Sequence, residues 1–125
     1  HENKIINCNV LGAVSGEKKN DLFKKSHILI FPTYYGEGLP NAILEAMGSG
    51  LPIISRVNAG IPDHVEEGVN GFLTTTLKPK WYAETIIKLL DNNIYQIISK
   101  NNIRKADDYS IHAVKSRLFN LYNKL

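Results

Sequence analysis

Two acidic side chains and a pair of glycines give one stretch of this chain the means to do chemistry. Gly36, Glu37, Gly38, Leu39, Pro40 and Asn41 run straight into Ala42, Ile43, Leu44 and Glu45, so seven residues separate the two glutamates. An apolar run, residues 27–32, precedes the stretch and reads as a buried strand. A helix over roughly residues 40–47, closed by Gly48 and Gly50, follows it. Strand, glycine-bearing loop and helix start together mark the carboxyl end of a strand in an open α/β sheet, where ligands bind.

The chemistry expected there is recognition of an anion. The first N–H groups of a helix lack intrahelical partners, and the helix dipole leaves them partly positive. Gly36 and Gly38 let a ligand approach the backbone and open dihedrals closed to other residues. Pro40 suits the first helical position, where its missing N–H costs nothing. These features form a diphosphate cradle. Glu45, one turn into the helix, leans back toward the N-terminus and can accept from sugar hydroxyls beside the phosphates. Glu37 can reach a second sugar. Asn41 either donates to a phosphate or sugar hydroxyl or serves as an ordinary helix-start residue, and Tyr34 or Tyr35 can line the pocket. The spacing alone equally fits a plain connection with a solvated Glu37 and a surface Glu45. A glycosidase pair is a rival reading, but it leaves the helix start unexplained. A nucleotide-binding module without catalysis is another.

The elements that must hold this stretch read as alternating strands and helices. A strand lies within residues 5–11, around Val10, and Gly12 ends it. Ser15 caps a helix through about Lys25, with Leu22 and Phe23 buried and Lys18, Lys19, Lys24 and Lys25 facing water. Residues 27–31 form a central parallel strand covered on both faces. Ile43, Ala46 and Met47 turn one helix face to the sheet. Residues 51–55 are the next strand, and Arg56 in the loop after it is a candidate phosphate ligand. A short helix over residues 62–67, a turn at 68–71 and a strand at Phe72 and Leu73 follow. Residues 78–90 form an amphipathic helix, with Trp81, Ile86, Leu89 and Leu90 available for burial. Its pattern runs on through Ile94, Ile97, Ile98 and Ile103. Ser110 caps a last helix carrying Ala113, Val114, Leu118, Leu121 and Tyr122.

Size and composition fit a single domain. The chain has 125 residues, 43% hydrophobic and 22% charged, enough to bury a core. It has no apolar run of about 18 residues, so no membrane span is expected, and no signal peptide is evident. The lone cysteine, Cys8, excludes an internal disulfide and is expected to be a small buried residue of a cytosolic protein. Residues 1–77 carry 6 Lys/Arg against 8 Asp/Glu, whereas residues 78–125 carry 9 against 4. A basic C-terminal part suits a solvated helical face or an acidic membrane surface. No basic stripe interleaved with aromatics is present, so nucleic acid is not an expected partner.

Glu37 and Glu45, with Gly38-Leu39-Pro40 after the first and Glu45-Ala46-Met47 at the second, resemble the C-terminal domain of the retaining nucleotide-sugar glycosyltransferases of the GT-B fold (group 1, family 4). The likeness extends over about residues 8–91, through Gly50-Leu51-Pro52, Gly60-Ile61-Pro62-Asp63 and Gly68-Val69-Asn70-Gly71. It implies an α/β fold: a Rossmann-like three-layer parallel sheet with flanking helices, a partial C-terminal half of GT-B. Residues 1–125 would be one truncated donor-binding domain. The resemblance makes Glu37 the catalytic residue and Gly36, Gly38, Leu39, Pro40, Asn41, Glu45 and Val14 the donor-binding set, with Val14 against the nucleobase. The donor would be a nucleoside diphosphate sugar, its sugar passed to an acceptor hydroxyl with retention, in cell-surface polysaccharide or glycoconjugate synthesis. No cofactor or metal is expected, since no Asp-x-Asp pair is present. The expected location is the cytoplasm, at the inner face of a membrane. The N-terminal acceptor-binding domain and the upstream arginine and lysine that hold the diphosphate in relatives have no counterpart here. The piece alone is therefore expected to be inactive. Ala59 and Asp63 stand where many relatives have glycine and glutamate. A sugar-nucleotide epimerase of the same architecture is a further alternative.

Overall fold

The computed structural model describes residues 7–36 and 38–124. Three parallel strands form the sheet, β1 (Leu29–Phe31), β2 (Ile53–Arg56) and β3 (Gly71–Thr74), in the order β1-β2-β3. Ile30 pairs with Ile54, and Ile54 with Phe72. The helices are α1 (Gly16–Lys25), α2 (Asn41–Gly48), α3 (Pro79–Lys88), α4 (Asn92–Asp107) and α5 (Ile111–Tyr122). The result is the expected α/β architecture, a parallel sheet with helices on both faces.

Side-chain alternation along β2 divides the core. Ile53 points into a cluster with Ile43, Ala46 and Met47 of α2, joined by Phe23 of α1. Ile54 points the other way, to Phe72, Leu89 of the α3–α4 junction and Ile98 of α4. Successive strand residues face opposite sides, so a continuous apolar run fills both layers.

Several expected elements differ from those observed. The central strand is β2, whose Ile53, Ile54 and Ser55 are all fully buried, whereas β1 is an edge and Ile30 is 42% exposed. Both runs are apolar; their order in the sheet, which no local pattern encodes, decides which is covered. Residues 7–11 form no strand, Val10 is 95% exposed, and Cys8 is exposed rather than buried. A strand forms only against a paired edge, and none of the three strands pairs with this segment. The expected helix over 62–67 is a single 3₁₀ turn, Ile61–Asp63. Pro40 is the residue before α2, extended at φ −61° and ψ 134°, rather than its first helical residue. Ser15 precedes α1 as expected, but its hydroxyl makes no capping bond. By contrast, Ser110 does cap α5, accepting from the Ala113 N–H at 3.2 Å. Leu90 and Ile97 are exposed, because α3 and α4 each turn only one stripe inward.

Polar groups fasten these layers. Asn102, fully buried on α4, donates through Nδ2 to the carbonyls of Leu51 and Asn70, and its Oδ1 accepts from Asn70 Nδ2. Tyr95 of α4 donates its hydroxyl to the carbonyl of His27 just ahead of β1. Burial pushes that phenol above its ordinary value, because desolvation disfavours the phenolate. No α5 residue is buried, and Ile111, Leu118, Phe119, Leu121 and Tyr122 are all exposed.

Candidate functional site

The loops after β1 and β2 meet at the carboxyl edge of the sheet. Ser55 donates its hydroxyl to the carbonyl of Phe31 at 2.6 Å, fixing the point where the first loop leaves β1. Asn58 then spans the gap, with Nδ2 donating to Tyr35 O at 2.6 Å and Thr33 O at 3.5 Å. Gly60 closes the contact: a Cβ there would stand 2.9 Å from Gly38 O and 3.0 Å from its Cα. Only a residue without a side chain lets these backbones approach so closely.

That clamp delivers the chain into α2. Leu39 packs on the α2-side core and Pro40 is buried. The carbonyl of Pro40 accepts from the N–H of Ile43 at 2.9 Å and, more weakly, of Leu44 at 3.4 Å. The N–H groups of Asn41 and Ala42 have no acceptor among the described residues. Gly36, Gly38 and Asn41 are exposed, and nothing lies within 4 Å of a Cβ built on either glycine. Gly36 does not adopt a left-handed backbone, so local geometry does not require glycine there. The space beside it is simply open.

Glu45 projects from the first turns of α2 and meets a cation. Lys19 of α1 donates from Nζ to Oε1 at 3.0 Å and lies 3.0 Å from Oε2, both side chains being 36% exposed. Oε2 is shielded from solvent and in ion-pair contact, without hydrogen-bond alignment. Lys19 thus does not face water as its charge suggested. It sits three and four residues before Leu22 and Phe23, on the buried side of α1, and that spacing was the signal in the sequence. Glu37 lies outside the described residues. Val14 is half-buried ahead of α1.

Arg56, at the end of β2, is engaged with protein. Its guanidinium stacks 4.7 Å from the Tyr34 ring centroid, and Nη2 donates to Thr75 O at 3.3 Å. Among the described residues, no three His, Cys, Asp or Glu side chains converge closely enough to hold a metal ion.

The chain matches the family model described as glycosyl transferases group 1 over residues 1–106. It belongs to that family. The match ends at the close of α4, before α5. Among curated relatives it is 36% identical over 98 residues to an uncharacterised glycosyltransferase of Methanocaldococcus jannaschii, covering 75% of this chain and 25% of the relative. Its fold superposes on Anabaena HepE solved in complex with UDP-glucose (TM-score 0.70, 24% identity, 83% of this chain and 29% of that one). WaaG, a glycosyltransferase involved in lipopolysaccharide biosynthesis, gives a TM-score of 0.63 at 19% identity over 74% of this chain and 25% of its own. These neighbours are GT-B glycosyltransferases, and this chain spans about a quarter of their length.

In the loop after β2, Ala59 is strained. It holds φ at +43°, in the left-handed region, in the loop that clamps Gly38. A non-glycine residue there costs roughly 1–2 kcal/mol. Replacing Ala59 by Gly removes that strain but adds unfolded-state entropy worth about 0.5–1 kcal/mol. Urea denaturation of Ala59→Gly is therefore expected to show a net stabilisation of about 0.5–1 kcal/mol. A fall in the midpoint would show that the Cβ makes a compensating contact.

Proposed function

We propose that this chain is the donor-binding part of a glycosyltransferase that takes a nucleoside diphosphate sugar and passes the sugar, with retention, to an acceptor hydroxyl. The observation that carries the proposal is the start of α2. The Asn41 and Ala42 N–H groups have no acceptor among the described residues, at the carboxyl edge of a parallel sheet and one turn from Glu45. In the proposed complex, Gly36, Gly38, Leu39, Pro40 and Asn41 surround the diphosphate. Negative charge builds on the departing diphosphate during transfer, and amides already aimed at it stabilise that charge without reorganising. Glu45 holds the pentose, Glu37 the transferred sugar, and Val14 the base. No metal is assigned a role. HepE, which shares the fold, was solved with UDP-glucose, and that supports a donor of this class.

Turnover is proposed to need the rest of a longer protein, because the chain spans only about a quarter of its relatives. Acceptor binding belongs to that remainder. A role in surface polysaccharide assembly draws support from the named role of WaaG. A cytoplasmic location at the inner face of a membrane fits α5, where Ile111, Leu118, Phe119 and Leu121 are exposed beside Lys115 and Arg117, an amphipathic, basic surface.

A thermal-shift screen of UDP-, GDP- and ADP-sugars on the full-length protein tests donor binding. With the best binder, Glu45→Ala is expected to weaken affinity by about 1–3 kcal/mol, the cost of leaving paired polar groups unsatisfied. Unchanged affinity would remove Glu45 from the pentose.

A further inference from the structure

We infer that Lys19 is a positioning residue for the nucleotide's pentose, acting through Glu45 and resting on the pentose role proposed above for that glutamate. Its Nζ is 3.0 Å from both carboxylate oxygens of Glu45, across a gap of 26 residues in sequence, and joins α1 to the helix whose N-terminus forms the cradle. The other ion pair among the described residues, Lys80 with Glu84, is a one-turn contact with side chains 85% and 62% exposed. The Lys19 pair is tighter, longer in range and half-buried.

Two physical consequences follow. A glutamate side chain has three rotatable bonds, and a cation held from a neighbouring helix selects one carboxylate orientation. Leu22 and Phe23, three and four residues further along α1, are partly buried, and Phe23 packs on the α2-side core, which seats the helix that carries Lys19. The second consequence is electrostatic. A bare carboxylate one turn from a diphosphate site repels the ligand it is meant to help bind, and partial burial weakens solvent screening of that repulsion. Pairing with Lys19 cancels the charge locally while leaving Oε1 able to accept from a hydroxyl, since it has more than one acceptor direction, with Oε2 shielded beneath it. The carboxylate can then read pentose hydroxyls beside an anion.

The test compares uridine, guanosine and adenosine diphosphates with their 2′,3′-dideoxy counterparts, by isothermal titration of the full-length protein. The unchanged protein is expected to prefer the ribonucleotide by about tenfold or more. Lys19→Met is expected to bring that ratio to within about threefold of one, whereas Lys19→Arg, which keeps the charge, retains it. If Lys19→Met fails to fold, Lys19→Gln takes its place with the same expectation. Preference retained in the neutral variant, whether or not both nucleotides bind more weakly, or lost in the arginine variant, overturns the inference while leaving Glu45 on the pentose. Absence of any ribose preference in the unchanged protein overturns the role of Glu45, and that of Lys19 with it.

Discussion

Gly71→Ala is expected to destabilise the fold by about 3 kcal/mol or more, a cost at the upper end of overpacking. Gly71 opens β3 and pairs with Ile53 at the centre of the sheet. A Cβ on it would fall 1.8 Å from Ile53 O, 2.7 Å from its carbonyl carbon and 2.8 Å from its nitrogen. All three atoms are backbone of the most buried strand, so no side chain can swing away. Relief requires β2 and β3 to separate, and that breaks their ladder and shifts β2, the strand whose Ser55 holds Phe31 of β1. The expected readout is a large drop in the urea midpoint, with weakened binding at the proposed donor site. An unfolding free energy within about 0.5 kcal/mol of the parent, the ordinary range of a surface change, would mean that the strands are spaced differently.

Asn102→Ala is expected to cost about 2–4 kcal/mol, since buried groups left unpaired carry roughly 1–3 kcal/mol each. The side chain is fully buried and makes bonds of 2.7 Å to Leu51 O, 2.8 Å to Asn70 O and 3.0 Å from Asn70 Nδ2. Truncation leaves the Leu51 carbonyl and the Asn70 side-chain amide facing a cavity, while Asn70 O keeps the Ile53 N–H at 3.2 Å. Asn102→Asp is expected to be worse, because it turns a carboxylate oxygen toward those two carbonyls and buries a charge. Asn102 ties α4 to both the end of α2 and the turn before β3, so hydrogen exchange should quicken in both regions together. Exchange confined to α4 would argue against the coupling.

Much of this arrangement was legible in the sequence. The apolar runs of β1 and β2, the spacing of Ile43, Ala46 and Met47, and the Ser110 cap each carry a local signature, and each became the element it announced. What failed to show was everything set by tertiary neighbours. Ile30 and Ile54 look alike along the chain, yet only the second is fully buried, because strand order rather than hydropathy decides coverage. Val10 reads as strand but has no partner edge to make one. Asn102 falls at intervals of four after Ile94 and Ile98, a spacing that marks a core position, but its polarity hid it. The site divides in the same way. The glycines, Pro40 and Glu45 were visible as a motif, whereas Asn58 gripping Tyr35 O and Lys19 gripping Glu45 depend on contacts 23 and 26 residues apart.

The proposed donor site is tested most directly by backbone amide NMR of the full-length protein during titration with uridine, guanosine and adenosine diphosphates. A diphosphate seated at the start of α2 predicts that the largest shifts fall on the amides of Gly38, Asn41 and Ala42, saturating together with one affinity. Saturable binding that leaves those three amides unmoved while others shift, or no binding of any of the three nucleotides, would contradict it.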